Sequence, residues 1–200
     1  MCYRVVSTIS LGLFLYLIAA PLHAGQSRAP AAKSAAAAAA ETDEQFLRDA
    51  EAAGLAVIQK GKLGAKNGFN DNVRAFAARM VTEHGRGYDE LWTLADSKHI
   101  ALESLLDEKA RASVDQLSEM WGLAFDRAYA AEAVNDHQAL VMAFRKQIQT
   151  SKDAEVKAWA QKVLPMLEEH LKLAQEAQKE VSPEVATKVG TTRSRPAAGK

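Results

Sequence analysis

Apolar residues recur at helical spacing along four long segments of this chain. The first segment opens at a capping box formed by Thr42 and Gln45, and its apolar stripe continues to about Leu63. The Asn67-Gly68 pair that follows is typical of a turn and ends the segment. The pattern therefore predicts a first amphipathic helix between Thr42 and this turn.

The remaining periodic segments predict three more long helices and one short helix. The long helices are expected at residues 71–97, 121–149 and 152–181, and the short helix at residues 107–117. Pro165 lies inside the last helix and should kink it, because proline removes one backbone hydrogen bond. No stretch of useful length alternates as a β-strand does, so the chain is predicted to be all-α.

The lengths of the connections predict how the helices are arranged. Short turns join the first helix to the second and the third to the fourth, so each pair should be antiparallel. The link between the second and third helices is long, as in ferritin-like bundles with one crossover connection. We therefore expect a ferritin-like antiparallel four-helix bundle with a short extra helix in the second-to-third connection. A plain up-down-up-down bundle is the alternative.

The N-terminal residues indicate export. Residues 1–24 have a cationic start at Arg4, an apolar run and a small residue, Ala24, as a secretory signal peptide does. A cut after Ala24 would place the protein in a bacterial periplasm and leave no transmembrane segment. It would also remove Cys2, the sole cysteine.

The flanks of the predicted domain, residues 42–181, are poor in large apolar side chains. Residues 25–41 form an alanine-rich segment that we expect to be a disordered tether, and residues 182–200 a disordered basic tail. Weak contact of this tail with anionic envelope polymers is one interpretation of its charge. Without the signal segment, 24 basic residues face 25 acidic ones, and this balance excludes a general nucleic-acid-binding role.

Four stretches of the chain carry a combination of motifs: FLRDAEAAGLAVIQKGKLGAKN, VRAFAARMVTEHGRGYDELWTLA, FDRAYAAEAVNDHQALVMAF and LPMLEEHLKLA. Together they resemble a bacterial family of exported, ferritin-like proteins of unknown function over residues 45–174. The family pattern includes a set of positions that are all present here: His84 to Asp89, Asp126, Tyr129, His137, Pro165 and His170. Val57 stands where relatives often carry a glutamate. The resemblance implies a fold and an exported location but no reaction.

Three histidines are the candidate chemistry of the predicted bundle. His84, His137 and His170 lie on the apolar stripes of the second, third and fourth long helices. Ferritin-type di-iron sites use Glu-x-x-His motifs, and these are absent, since the residues three positions earlier are Val81, Val134 and Leu167. A simpler site, three imidazoles on one zinc, copper or iron ion, is chemically reasonable.

The axial levels of the histidines argue against a shared metal ion. Counted from the tight turn at Thr150 and Ser151, His170 lies further along its helix than His137 does along the preceding one. The difference is about six residues, which corresponds to an offset of about 9 Å at roughly 1.5 Å per residue. Such an offset is too large for one metal ion unless the predicted helix boundaries are wrong.

The alternative interpretation is that the histidines are core residues with ordinary hydrogen-bond partners. Asp126 or Tyr129 would then bond to His170, and Glu51 or His137 would bond to His84. On this interpretation the chain is a non-catalytic envelope protein with a binding or structural role, and we assign no catalytic residue. The competing hypothesis is a metal-binding protein linked to metal or oxidative stress. Its candidate ligands are His84, His137 and His170, with Glu51 and Asp126 as candidate partners.

Overall fold

A computed structural model describes the backbone of residues 29–183 and the side chains of residues 42–183. This part of the chain has five helices and no strand: α1 (Ala29–Asn67), α2 (Asp71–Ser97), α3 (Glu108–Ser118), α4 (Gly122–Thr150) and α5 (Ala154–Glu180). The all-α fold class and the short extra helix are thereby confirmed. No described helix combines the length and the apolarity that a membrane crossing requires. The predicted signal peptide and residues 184–200 of the predicted basic tail lie outside the described residues.

The predicted start of the first helix is wrong. The helix begins at Ala29 and not at Thr42, so residues 29–41, which we expected to form an unstructured tether, continue α1. Alanine has the highest helix propensity of all residues. Extending an existing helix also avoids the cost of nucleating a new one, which is the reason that an isolated alanine stretch is marginal in water.

The starts of two long helices are fixed by side-chain caps. Asn70 accepts hydrogen bonds from the backbone N–H groups of Asn72 and Val73 at the start of α2. Asp153 caps α5 in the same way, so α5 begins at Ala154, slightly later than predicted. The helix then continues through the exposed Pro165.

Hydrogen bonds at one end of the bundle show which helix termini meet there. Asp43, in the N-terminal half of α1, accepts hydrogen bonds from the Gln147 side chain of α4 and from the Asp153 backbone N–H before α5. Lys98, directly after α2, donates to Asp153 over 2.6 Å. The C-terminal ends of α2 and α4 therefore lie beside the N-terminal half of α1 and the start of α5.

The opposite end of the bundle shows the reverse arrangement. Asn72 at the start of α2 donates to Glu180 at the end of α5 over 2.9 Å. Arg127 at the start of α4 donates to the carbonyl oxygen of Val181 over 2.8 Å. Helices α1 and α5 thus run in one direction and α2 and α4 in the other.

This direction of the helices decides the topology. The α2-to-α4 connection must return along the whole bundle, and α3 within it packs against α1 and α4. The neighbouring pairs of long helices are α1–α2, α2–α5, α5–α4 and α4–α1, all antiparallel. This is the single-crossover arrangement of ferritin-like bundles, and it excludes the up-down-up-down alternative.

Leu167 provides a test of the core, because its side chain is 2 % exposed and belongs to the hydrophobic cluster that includes inward residues of all four long helices. Leu167→Ala should lower the free energy of unfolding by about 2–5 kcal/mol, since it removes buried methyl groups and leaves a cavity. Chemical denaturation followed by circular dichroism measures this change. Met142→Ala on the exposed side of α4, where the side chain is 71 % exposed, should change stability little. Equal effects of the two variants would contradict the assignment of Leu167 to the core-facing side of α5.

Candidate metal centre

The side chains of His84, His137 and His170 meet in the centre of the bundle. Their exposed fractions are 6 %, 0 % and 0 %. The Nε2 atom of His84 lies 3.2 Å from Nε2 of His137 and 3.2 Å from Nδ1 of His170. One ring nitrogen from each residue lies within 4.8 Å of the other two. Helices α2, α4 and α5 therefore each supply one imidazole to a single buried cluster.

The predicted difference in level between His137 and His170 is wrong. Because α5 starts at Ala154, residues 151–153 add no helical rise between the end of α4 at Thr150 and His170. The remaining difference in level is about three residues, or about 4.5 Å along the axis, which two imidazole side chains can bridge. The objection to a shared ion depended on the helix boundary.

The outer ring nitrogens fix the protonation of two of the three imidazoles. Nδ1 of His137 lies 2.7 Å from the carbonyl oxygen of Ala133, and Nε2 of His170 lies 2.7 Å from Oε2 of Glu83. A carbonyl or carboxylate oxygen only accepts hydrogen bonds, so both of these nitrogens carry protons. In the neutral rings, the other nitrogens of His137 and His170 hold lone pairs, and both are directed at Nε2 of His84.

Two of the three nitrogen–nitrogen separations match those of a tetrahedral metal site, and the third, between His137 and His170, is within 4.8 Å. Two nitrogen ligands bound to zinc at about 2.0–2.1 Å in tetrahedral geometry lie about 3.3 Å apart. The two 3.2 Å separations around His84 are within about 0.2 Å of this value. Three buried imidazoles in this arrangement can therefore hold one metal ion after only a small movement of the rings.

Burial keeps the three imidazoles neutral, as metal ligands must be. It lowers the pKa of His137 to about 4, only partly opposed by the hydrogen bond to Ala133. Burial, with the neighbouring histidines, also holds the pKa of His84 well below its usual value. The pKa of His170 is lowered by burial too, although the Glu83 carboxylate partly opposes the shift.

Glu83 is a residue of the centre that the sequence interpretation missed. It belongs to α2 and binds His170 of α5, and it also accepts a hydrogen bond from Arg79 over 2.8 Å. Burial raises the pKa of the Glu83 carboxyl, but the hydrogen bonds from Arg79 and His170 outweigh this and lower it. Arg79 also pairs with Glu169. An acidic residue directly precedes each of the three histidines in the sequence. The sequence does not show which residue of another helix that acid contacts, because this depends on the topology.

The expected partners of the histidines lie elsewhere. The carboxylate of Asp126, fully buried, accepts hydrogen bonds from the backbone N–H groups of Phe69 and Asn70 over 2.9 and 2.8 Å. Asp126 thus fastens the α1–α2 turn to α4 and does not bond to His170. The hydroxyl of Tyr88 donates to Glu51 over 2.8 Å, so Glu51 is not the partner of His84.

Tyr129 is also not a partner of His170. Its ring stacks on Phe125 and packs against Phe76, in the apolar layers toward the α1–α2 turn. The ring nitrogens of His170 instead contact the Glu83 carboxylate through Nε2 and the His84 ring through Nδ1. Of the pairs proposed from the sequence, only that of His84 with His137 is present.

A family described as Domain of unknown function (DUF4142) matches residues 28–177. The chain belongs to the DUF4142 family. This match covers nearly the whole of the predicted domain and agrees with the resemblance to a family of unknown function. Neither the comparison with curated proteins nor the comparison with solved structures finds a match.

The buried carboxylate of Asp126 in the DUF4142 domain provides a stability test. Asp126→Ala should lower the free energy of unfolding by about 3 kcal/mol, because hydrogen bonds to charged groups contribute more than neutral ones and two N–H groups lose their acceptor. Urea denaturation of the metal-free protein measures it. The exposed Asn135→Ala on the same helix should stay within about 0.5 kcal/mol of the unchanged protein. A similarly small change for Asp126→Ala would contradict its role as an anchor.

The lowered histidine pKa values predict that acid destabilises the metal-free protein. In the unfolded chain the three histidines are protonated at a pH of about 6.5, whereas in the folded chain they are protonated only at lower pH. The free energy of unfolding therefore falls as the pH drops through this window. His137, with a folded pKa of about 4, should alone contribute a loss of about 2 kcal/mol between pH 7 and 5. Denaturation curves between pH 7 and 5 measure the slope.

Two variants serve as controls for this pH dependence. His137→Gln should flatten the slope, because glutamine does not titrate. His99→Asn removes an exposed histidine in the left-handed backbone region, which asparagine tolerates, and should leave the slope unchanged. Equal slopes for all three proteins would contradict the assignment of the acid sensitivity to the buried cluster.

Proposed function

We propose that the DUF4142 domain binds one transition-metal ion, zinc, copper or iron, through His84, His137 and His170. The observation that carries the proposal is the position of His84 Nε2, which lies 3.2 Å from a ring nitrogen of each of the other two histidines. Imidazole nitrogen is a suitable ligand for all three metals. The protein's ligands come from three different helices, so bound metal would connect α2, α4 and α5.

A count of protons supports a metal ion over a purely hydrogen-bonded cluster. The ring protons of His137 and His170 are used by Ala133 and Glu83. His84 can place at most one proton between two nitrogen acceptors, so without a further ligand one buried lone pair is left unsatisfied. With the single proton of His84 on Nδ1, its Nε2 also holds a lone pair, and one metal ion would bind the inner nitrogens of all three rings. The outer hydrogen bonds of His137 and His170 orient those rings for it, as partners of metal-bound histidines commonly do.

The interpretation that the histidines are ordinary core residues is weakened by the same contacts. It relied on Asp126 or Tyr129 as a partner of His170, and these residues bond or pack elsewhere. Of its two candidate partners for His84, Glu51 bonds to Tyr88, whereas His137 does lie beside His84. The role we propose is binding, because the described side chains of the centre are three imidazole ligands and the groups that orient them.

An exported location is part of the proposal and is supported by the sequence of residues 1–24. A cationic start, an apolar run and a terminal Ala24 together are typical of a secretory signal. We therefore place the metal-binding bundle in the bacterial envelope, where it would hold metal ions during metal or oxidative stress.

Thermal denaturation with and without metal tests the proposal. Metal that binds only the folded state at about 100 times its Kd should raise the Tm of the chelator-stripped protein by about 5–10 °C. Zn²⁺, Cu²⁺ and Fe²⁺ are added separately, and bound metal is measured by elemental analysis after dialysis. One ion per chain is the expected stoichiometry.

Matched variants separate the centre from adventitious surface binding. His137→Ala should lose the metal-dependent rise in Tm, measured relative to its own metal-free form. His99→Asn, which removes an exposed histidine, should keep it. A rise that persists in His137→Ala, or the absence of any rise in the unchanged protein with all three metals, would reject the proposed function.

A further inference from the structure

A small cavity of about 30 Å³ lies against His84. Tyr88 of α2, Leu140 of α4 and Leu167 of α5 contribute to its wall. Tyr88 comes four residues after His84, Leu140 three after His137 and Leu167 three before His170. Because α5 runs opposite to α2 and α4, all three residues lie about one turn from the histidines toward the same end of the bundle. The cavity is therefore the next layer beside the histidine cluster.

The layer on the other side of the cluster consists of buried side chains. Met80, Ala133 and Ala174 lie one turn from the three histidines in the opposite direction, and their exposed fractions are 0 %, 6 % and 0 %. A ligand that approaches the cluster along the bundle axis therefore has space on the cavity side.

Two glycines create the space. Gly54 of α1 and Gly87 of α2 line the cavity, and a Cβ atom built on either would meet no other atom within 4 Å. Any larger residue at these positions would extend into open space. Glycine in a helix interior costs roughly 0.5–1 kcal/mol relative to alanine, so the helices give up stability where they border this cavity.

The cavity adjoins a second pocket that leads to the surface between α2 and α5. This outer pocket has a volume of about 250 Å³ and shares Gly87, Val163 and Met166 with the inner one. Lys162 and Glu90 form an exposed ion pair among the residues that line it. The flexible Met166 side chain thus forms part of the partition between the surface pocket and the cavity.

An unpaired polar group favours a polar occupant. Trp159 also lines the cavity, and its indole N–H is buried without a hydrogen-bond partner in the described part of the chain. Such groups in proteins are normally bonded to protein or ordered water. The cavity volume suffices for one or two water molecules or a ligand of similar size.

We propose that the three-histidine centre keeps an open coordination position on the cavity side, and that small monodentate ligands such as water, hydroxide or azide reach it past Gly87 and the flexible Met166 side chain, where the cavity adjoins the surface pocket. The proposal rests on the proposed function, since it requires a bound ion. Three protein ligands leave one position of a tetrahedral ion free, as in zinc sites that accept water or substrate.

Azide binding to the Co²⁺-loaded protein tests this proposal. Co²⁺ accepts imidazole ligands and has visible absorption bands that change with its coordination, whereas Zn²⁺ has none. The whole chain is loaded with Co²⁺, its metal affinity is measured by equilibrium dialysis, and sodium azide is titrated while the spectrum is recorded. The unchanged protein should give a saturable spectral change.

Glycine variants show whether the ligand comes through the cavity. Gly54→Val and Gly87→Val should each weaken azide binding by about tenfold or more, because the added side chain occupies the ligand's space. Gly85→Val is the matched control, since Gly85 lies on the same helix as Gly87, also has no atom within 4 Å of an added Cβ and lines neither pocket. It should leave azide affinity within about twofold of the unchanged protein.

The outcomes separate this inference from the proposed function. Failure of Co²⁺ to bind, together with failure of Zn²⁺, Cu²⁺ and Fe²⁺ to raise the Tm of the unchanged protein, would reject both. Failure of Co²⁺ alone would reject the open position and leave the proposed function standing. Co²⁺ binding without any azide response would reject the open position alone. Equal azide affinity in the unchanged protein and both cavity variants would reject the route, provided that circular dichroism shows all three to be folded. Loss of azide binding in Gly54→Val and Gly87→Val, with Co²⁺ affinity retained, would support the proposal.

Discussion

The burial of three imidazoles against one another is the constraint on which the arrangement of this bundle depends. An imidazole buried without a partner loses its bonds to water, and a protonated one would be far more costly. The chain meets this requirement with specific acceptors, the Ala133 carbonyl and the Glu83 carboxylate, for two of the three rings. These bonds leave the inner nitrogens unprotonated, so the way in which the fold accommodates the rings also prepares them as ligands.

The charged residues around the cluster follow from the same constraint. Glu83 is only partly buried and pairs with Arg79, which also binds Glu169. On another side of the bundle, the nearly buried Lys60 of α1 pairs with Glu132 and with Asp136, the residue before His137. Burial lowers the pKa of the Lys60 ammonium, but both carboxylates raise it and the net shift is upward. Each acid that precedes a histidine is thus paired with a cation, and the pairs of Arg79 with Glu169 and of Lys60 with Asp136 join adjacent helices.

The two layers beside the histidine cluster are packed differently, and the looser layer does not increase the stability of the fold. Met80, Ala133 and Ala174 are closely buried on one side, whereas Gly54 and Gly87 leave a cavity on the other. Elsewhere a glycine is placed where a side chain would collide, since a Cβ at Gly64 would come within 2.6 Å of Ala77. Close approach of α1 and α2 explains Gly64, but it does not explain Gly54 or Gly87.

The sequence by itself determined the helices, the fold class and the three inward-facing histidines. Helical periodicity is a local property, and a residue on an apolar stripe is turned inward whatever its neighbours are. The long link before residue 121 also indicated the crossover, because connection length limits where the next helix can begin. The alanine-rich start of α1 was misjudged, since the sequence does not show whether a stretch of high propensity continues a helix that is already nucleated.

Only the tertiary structure decided which residues meet. A start of α5 at Ala154 instead of Lys152, together with the unwound residues before it, changed the conclusion about a shared site for His137 and His170. Glu83 could be assigned to His170, and Asp126 to the α1–α2 turn, only after the neighbours of each helix were known. The axial register between two helices is set by packing and by a few loop residues, and no periodicity within one helix contains that information.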